Sequence, residues 1–351
     1  MQKKLIALAV AAAFSAPAFA DVTMYGIVDA AVVRATADGQ KSDLLAYSGG
    51  LSGSRIGVTS AEDLDNGMKA VIKLEYNLDT QDNGTIGTAR QEMLAVAGGF
   101  GTFATGYLQT TGYDWAVKFD PTTGSTVSPL QNVTKANFLI GSVAIASRAQ
   151  RALAYISPDM GGVTVAVNYS TALAGLGNLT VASTLPDVKT TATLVSATYT
   201  GVANLVVGGV YAATGVPTGG NKTTDMGLGV SYDLSVVKLL GTYQTSKTDN
   251  GIGTNKAMSF SAVAPVGPGA IVATYAKNTM ASTTAADNAN GMSVAWLQGL
   301  SKTTTLYAAY SKMSQDSGTN AYSVIGNALG GGAMTAGGSS TLLAVGLKKV
   351  F

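Results

Sequence analysis

Charge is sparse in this chain and unevenly placed. All five arginines (Arg34, Arg55, Arg90, Arg148 and Arg151) fall in its first half, and Asp114 and Asp120 lie among them in Tyr113-Asp-Trp-Ala-Val-Lys-Phe-Asp-Pro121. A guanidinium stays charged at any physiological pH, so such a set can hold a fixed field across an opening and sort solutes by charge. Covalent catalysis lacks its usual parts. The chain has no cysteine and no histidine, which removes Ser–His and Cys–His pairs and the commonest zinc ligands. A protease without histidine needs paired carboxylates. Asp316-Ser-Gly318 has the look of one, but it occurs once, in a glycine-rich stretch that reads as a turn. The residues indicate a protein without catalysis and without a cofactor.

The elements that must position these charges alternate with period two. From 68 to 76, Met68, Ala70, Ile72, Leu74 and Tyr76 take one face and Lys69, Val71, Lys73 and Glu75 the other, the signature of a strand between an apolar and a polar phase. About sixteen such segments of roughly ten residues follow one another, the length a tilted membrane strand needs. Their connectors differ in length. Asp63-Leu-Asp-Asn-Gly67, Gly98-Gly-Phe-Gly101 and Leu234-Ser235 are tight turns, whereas 35–50, 110–146, 172–188 and 313–338 are long loops. Short turns at one end and long loops at the other predict an all-β, transmembrane antiparallel barrel with periplasmic turns and extracellular loops.

Composition agrees. Only 12% of residues are charged, against roughly 25% in ordinary soluble domains, and mean hydropathy is +0.25. Beyond the N-terminus no stretch approaches the ~18 uninterrupted apolar residues of a membrane helix. Residues 1–20 carry Lys3 and Lys4, an apolar run from Leu5 to Phe14 and Ala18-Phe-Ala20, the pattern of a signal peptide cleaved after Ala20. A single barrel domain would then occupy 21–351. Without Lys3 and Lys4, 20 basic and 20 acidic residues balance, which argues against a nucleic-acid partner.

By parity Arg55 shares a face with Gly57 and Thr59, opposite Ile56 and Val58, and should point inward; Lys73 and Glu75 are lumenal on the same argument and can form a local pair. Arg148 opens the strand after the longest loop. Arg34 sits on the apolar parity of the first strand and is placed above the membrane. Each arginine could equally be a paired interior or rim charge.

Several stretches resemble the trimeric general porins of Gram-negative bacteria, in particular the betaproteobacterial and neisserial branch. Val22-Thr-Met-Tyr-Gly-Ile-Val-Asp-Ala30 resembles that family's first strand, and Gly50-Leu-Ser-Gly-Ser-Arg-Ile-Gly57 with Glu62-Asp-Leu64 its second strand and first turn. Lys73-Leu-Glu75, Arg90-Gln91, Gly99-Phe-Gly-Thr102, then Arg148, Tyr155, Ser157 and Pro158, and finally Val345-Gly-Leu347 and Phe351, continue the match. From 171 to 340 only the hairpin rhythm supports it.

The resemblance implies an outer-membrane channel for passive diffusion of ions and small hydrophilic solutes. Its third loop would fold into the lumen and set Asp114 and Asp120 opposite a basic wall of Arg55, Arg90, Arg148 and Arg151, with Lys73 and Glu75 lining the lumen. It also implies a homotrimer, contacts with outer-membrane lipid and lipopolysaccharide, and an assembly signal at Phe351 read by the outer-membrane assembly machinery. The family usually has Gly-Arg-Gln where this chain has Gly106-Tyr-Leu-Gln109, which weakens the expectation of strong anion preference. Two other functions fit the same residues: a channel specific for one solute class, and a surface or adhesin barrel acting through its long loops.

Overall fold

The computed structural model describes residues 21–40, 42–81, 87–134, 138–140, 147–173, 191–215, 221–281, 287–324 and 334–351. The expected signal peptide and most of the loop at 172–188 lie outside the described residues. Strands run β1 (Asp21–Ala37), β2 (Asp43–Ser48), β3 (Arg55–Asp63), β4 (Lys69–Asn77), β5 (Ala89–Gly98) and β6 (Gly101–Gln109). After an internal loop come β7 (Arg148–Ile156), β8 (Val163–Leu173), β9 (Thr191–Tyr199), β10 (Leu205–Gly215), β11 (Thr223–Asp233) and β12 (Lys238–Thr248). The last five are β13 (Thr254–Val266), β14 (Gly269–Thr279), β15 (Ala289–Gly299), β16 (Thr304–Gln315) and β17 (Ser339–Val350).

All pair antiparallel with their sheet neighbours, and β17 pairs with β1 from Ile27↔Val350 to Ala37↔Ser340, which closes the sheet. β2 and β3 share one position: β1 pairs with β2 from Ala30 onward and with β3 up to Ile27. The chain is thus a closed antiparallel barrel of sixteen strand positions. Closure leaves no unpaired backbone edge, which hydrocarbon would not tolerate.

Alternation decides the two faces. Val58, Ile72, Leu94, Phe103, Leu153, Phe260, Val345 and Leu347 are among the large apolar side chains exposed outward, while the opposite face carries Ser, Thr, Ala and Gly together with buried charges such as Asp29, Glu75 and Asp225. In water such an exterior would aggregate; in a bilayer it is the solvated side. Asp21 and Phe351 sit at the short-turn end, and nearby Gly26 and Phe351 exchange backbone hydrogen bonds of 3.0 and 3.1 Å.

The interruption between β2 and β3 falls inside the region read as one loop plus one strand. Asp29 holds it: its carboxylate accepts from Leu51 N at 2.9 Å, Ser52 N at 2.8 Å and the Tyr307 hydroxyl at 2.6 Å. The long 110–146 connector also carries structure of its own, helices α1 (Thr111–Phe119) and α2 (Pro129–Thr134). Thr110 caps α1 by accepting from Tyr113 N at 3.2 Å, satisfying one of the orphan donors of its first turn.

Candidate functional site: the pore constriction

The internal loop crosses the barrel and lies on the wall opposite β3–β6. α1 turns Gly112, Trp115, Ala116 and Phe119 toward β9–β11 and leaves Asp114, Val117 and Lys118 on its other side. That is an i, i+3, i+4 stripe on each face. The aromatic face fits because the wall lacks side chains there. A Cβ on Gly229 would stand 2.4 Å from the Phe119 ring, and one on Gly208 2.8 Å. Burying Trp115 and Phe119 contributes about 1.5–3 kcal/mol each.

Polar ties fix the loop's position. Trp115 Nε1 donates to Gly208 O at 3.0 Å, Thr111 N to Asn168 Oδ1 at 2.6 Å, and Asn278 Nδ2 to Val133 O at 2.7 Å. Asp225 accepts from Leu139 N and, at 3.2 Å, from Ile140 N. Thr126 N reaches Gly50 O at 3.3 Å, so the loop also meets the interruption of the second barrel strand.

Facing it, three strands converge on one carboxylate. Glu75, 5% exposed, accepts from Arg90 Nε at 2.8 Å and from the Tyr25 hydroxyl at 3.0 Å, with Arg55 Nε 3.8 Å away. Register explains the meeting. Tyr25 pairs with Gly57 and Gly57 with Glu75, and the missing side chain at Gly57, where a Cβ would be 2.5 Å from the Tyr25 ring, lets the phenol reach over β3. Arg90 is the extra residue where the β4–β5 register slips between Glu75 and Tyr76; a bulge re-aims a side chain in this way. Its second nitrogen donates to Asn77 Oδ1 at 3.0 Å.

Arg148, 6% exposed, donates to Arg90 O at 2.6 Å and Ser147 O at 2.8 Å, and its guanidinium lies 5.0 Å from the Tyr113 ring centroid. Lys73 stands 5.7 Å from the Tyr25 ring centroid, while Glu75 makes its ion pairs with Arg55 and Arg90. Arg55, Arg90, Arg148, Lys73 and Glu75 are therefore brought together.

The other expected residues take different places. Asp114 is held by the side-chain amide of Gln109. Burial pushes its carboxyl above the ordinary carboxylate range, while Gln109, Lys118, Arg148 and Lys73 pull it back. Lys118 donates to Thr198 Oγ1 at 3.1 Å, and burial holds its ammonium below the usual lysine value. Asp120, 1% exposed, spends its oxygens inside the loop on Thr122 N at 2.9 Å, Thr122 Oγ1 at 2.6 Å and Ser128 Oγ at 2.7 Å. Its carboxyl is likewise raised by burial. Arg151 is exposed, at φ +48°, where the β6–β7 register slips. It shares outward parity with Leu153 and stands away from the cluster.

Tyr25, Asn77, Gln109 and Tyr113 belong to the site without standing out in the sequence. Inward parity is the signal that could have found Tyr25, which alternates with Asp29 on β1.

A closed barrel with a polar interior, narrowed by a loop tied across its lumen between basic and acidic groups, defines a membrane channel. The comparisons agree. The Gram-negative porin family matches residues 7–318. Outer membrane porin protein 32 of Delftia acidovorans is 30% identical over 366 aligned residues, covering 100% of both chains. Among solved structures, the anion-selective porin from Comamonas acidovorans superposes with a TM-score of 0.80 at 24% identity, over 95% of this chain and 100% of that one. OmpT of Vibrio cholerae, solved in a trimer form, gives 0.65 at 15% identity, over 95% and 99%. The chain belongs to the Gram-negative porin family, an outer-membrane β-barrel with a water-filled channel.

Proposed function

We propose that solutes cross at the passage between α1 and the Glu75 cluster, and that this passage prefers anions. The observation that carries the reading is the charge count of the facing side chains: Arg55, Arg90, Arg148, Lys73 and Lys118 against Glu75 and Asp114. Opposed charges across a narrow opening with low-dielectric walls set up a transverse field that favours small polar solutes over apolar ones. The surplus of cations raises the local anion concentration. The anion selectivity of the Comamonas porin supports the same sign.

In this reading Glu75 aligns two guanidinium groups, Gln109 orients Asp114, and Asp120 staples the loop and does not face the solute. Arg151, on the outward parity, contributes nothing to selectivity. The protein is a channel and performs no catalysis. It works as a homotrimer, in keeping with the trimer form of OmpT, and Phe351 at the β17–β1 seam serves as the mark read during assembly. The test is a liposome-swelling series with neutral sugars and organic anions of matched size. Faster entry of anions supports the proposal, and size-limited entry without regard to charge removes the selectivity from it.

A further inference from the structure

A buried carboxylate lies behind the constriction loop with no ion pair. Asp225 on β11 is 0% exposed and spends Oδ2 on Leu139 N and Ile140 N of the loop. Its Oδ1 has no hydrogen bond. One strand over, Gln244 on β12 is equally buried, and neither the oxygen nor the nitrogen of its amide has a hydrogen bond. Register sets the two side by side. Asp225 pairs with Ser246 and Gly227 with Gln244, so these four inward positions form a two-by-two tile. Asp225 and Gln244 are its diagonal, a backbone separation of about 7–8 Å that long side chains bridge.

The tile is covered. Gly227 contributes no side chain, and the Trp115 indole of α1 stands over it, 3.0 Å from where a Cβ would be. Ala257, opposite Gln244 on β13, is buried, and so is Ser246 beside the carboxylate.

A buried charge is kept by pairing it or by binding a metal ion. Asp225 makes no ion pair among the described residues. The one inward lysine of β10–β13, Lys238, stands at the short-turn end of β12, eight residues from Ser246. The oxygens available at the tile are hard donors: a carboxylate, an amide carbonyl and a hydroxyl. A calcium ion calls for about six to eight oxygens, and the described residues hold no group of three acidic or other metal-binding side chains. A single negative charge matches a single positive one.

We propose that Asp225 Oδ1, Gln244 Oε1 and the Ser246 hydroxyl hold a monovalent alkali cation behind the constriction loop. The ion neutralises the carboxylate that clasps Leu139 and Ile140, so the salt outside the cell sets how firmly the loop is held. Asp225 is buried away from the passage, which makes the site independent of the pore's selectivity.

The test follows the thermal midpoint of the refolded chain from residue 21 in detergent, read by heat-modifiable mobility. Sodium chloride replaces N-methylglucamine chloride at constant ionic strength and pH. The wild-type midpoint should climb with sodium once the site fills, as binding to the folded state alone requires. Asp225→Asn keeps an acceptor for Leu139 and Ile140 but loses the charge, and its midpoint should be the same in both salts. Gln244→Leu removes one ligand and should raise the sodium concentration at which the climb begins about ten-fold or more. Should Asp225→Asn not fold, wild-type crystals grown in rubidium chloride give a second reading, with anomalous density expected beside Asp225 Oδ1. A wild-type midpoint that ignores sodium, an Asp225→Asn midpoint that still follows it, or ordered water in place of rubidium would overturn the proposal.

Discussion

Trp115 Nε1 donates to the carbonyl oxygen of Gly208 across 3.0 Å, tying a helix inside the barrel to the wall it leans on. The bond spans 93 residues of sequence and gives the loop a fixed address. Trp115→Ala removes both the donor and a buried indole, a change worth about 3–5 kcal/mol in a packed site. The barrel strands should still form, while single-channel records show larger or flickering conductance. Steady wild-type steps from the variant would show that other ties suffice.

Gly229 tests the same packing from the wall. A Cβ there would meet the Phe119 ring at 2.4 Å, so Gly229→Val should displace α1 and widen the distribution of conductance levels. Gly241→Val, on the outward parity of β12 where the nearest atom would be 3.7 Å away, should leave it unchanged.

Glu75 neutralises and aligns at once. Glu75→Gln should shift the reversal potential toward anions, because two guanidinium groups lose their counter-charge. It should also lower the thermal midpoint of the folded barrel, since breaking a buried pair typically costs about 3–5 kcal/mol. A more cation-selective variant would contradict the assignment.

Acidification should act through Asp114. Burial raises its pKa above the ordinary carboxylate value, so it takes up its proton at a higher pH than a solvated aspartate would. Anion preference should therefore grow as pH falls from 7 toward 4, and Asp114→Asn should flatten that dependence. The linkage runs the same way: a raised folded pKa stabilises the loop at pH values below the ordinary carboxylate range, and that stability is lost as pH rises through the Asp114 value.

Much of the barrel is legible in the sequence because period-two alternation is a one-dimensional signal. The alternation read from 68 to 76 falls on β4, Lys69–Asn77, and the expected count of about sixteen segments meets sixteen strand positions. The inward direction of Arg55, Lys73 and Glu75 follows from the same parity. What cannot be read depends on register between strands. Glu75 meets Tyr25 only because Gly57 lies between them, and Arg90 is aimed by a slip of one residue. Nearness to Arg148 in sequence groups Arg151 with the wall, yet it stands three residues further on, shares outward parity with Leu153 and is exposed. Sequence neighbours likewise put Asp120 beside Asp114, whereas its three hydrogen bonds turn it into the loop. The break that separates β2 from β3 depends on Asp29 and Tyr307, 278 residues apart, a pairing no local pattern announces.

The most direct measurement is the reversal potential of single channels in a planar bilayer under a salt gradient, for wild type and for a variant with Arg55, Arg90 and Arg148 changed to glutamine. The geometry predicts an anion-selective wild type and a variant whose potential moves to zero or beyond, with open-channel conductance retained. A reversal potential that is cation-selective in the wild type, or identical in the two proteins, would contradict the assignment of the basic cluster as the selective wall of the pore.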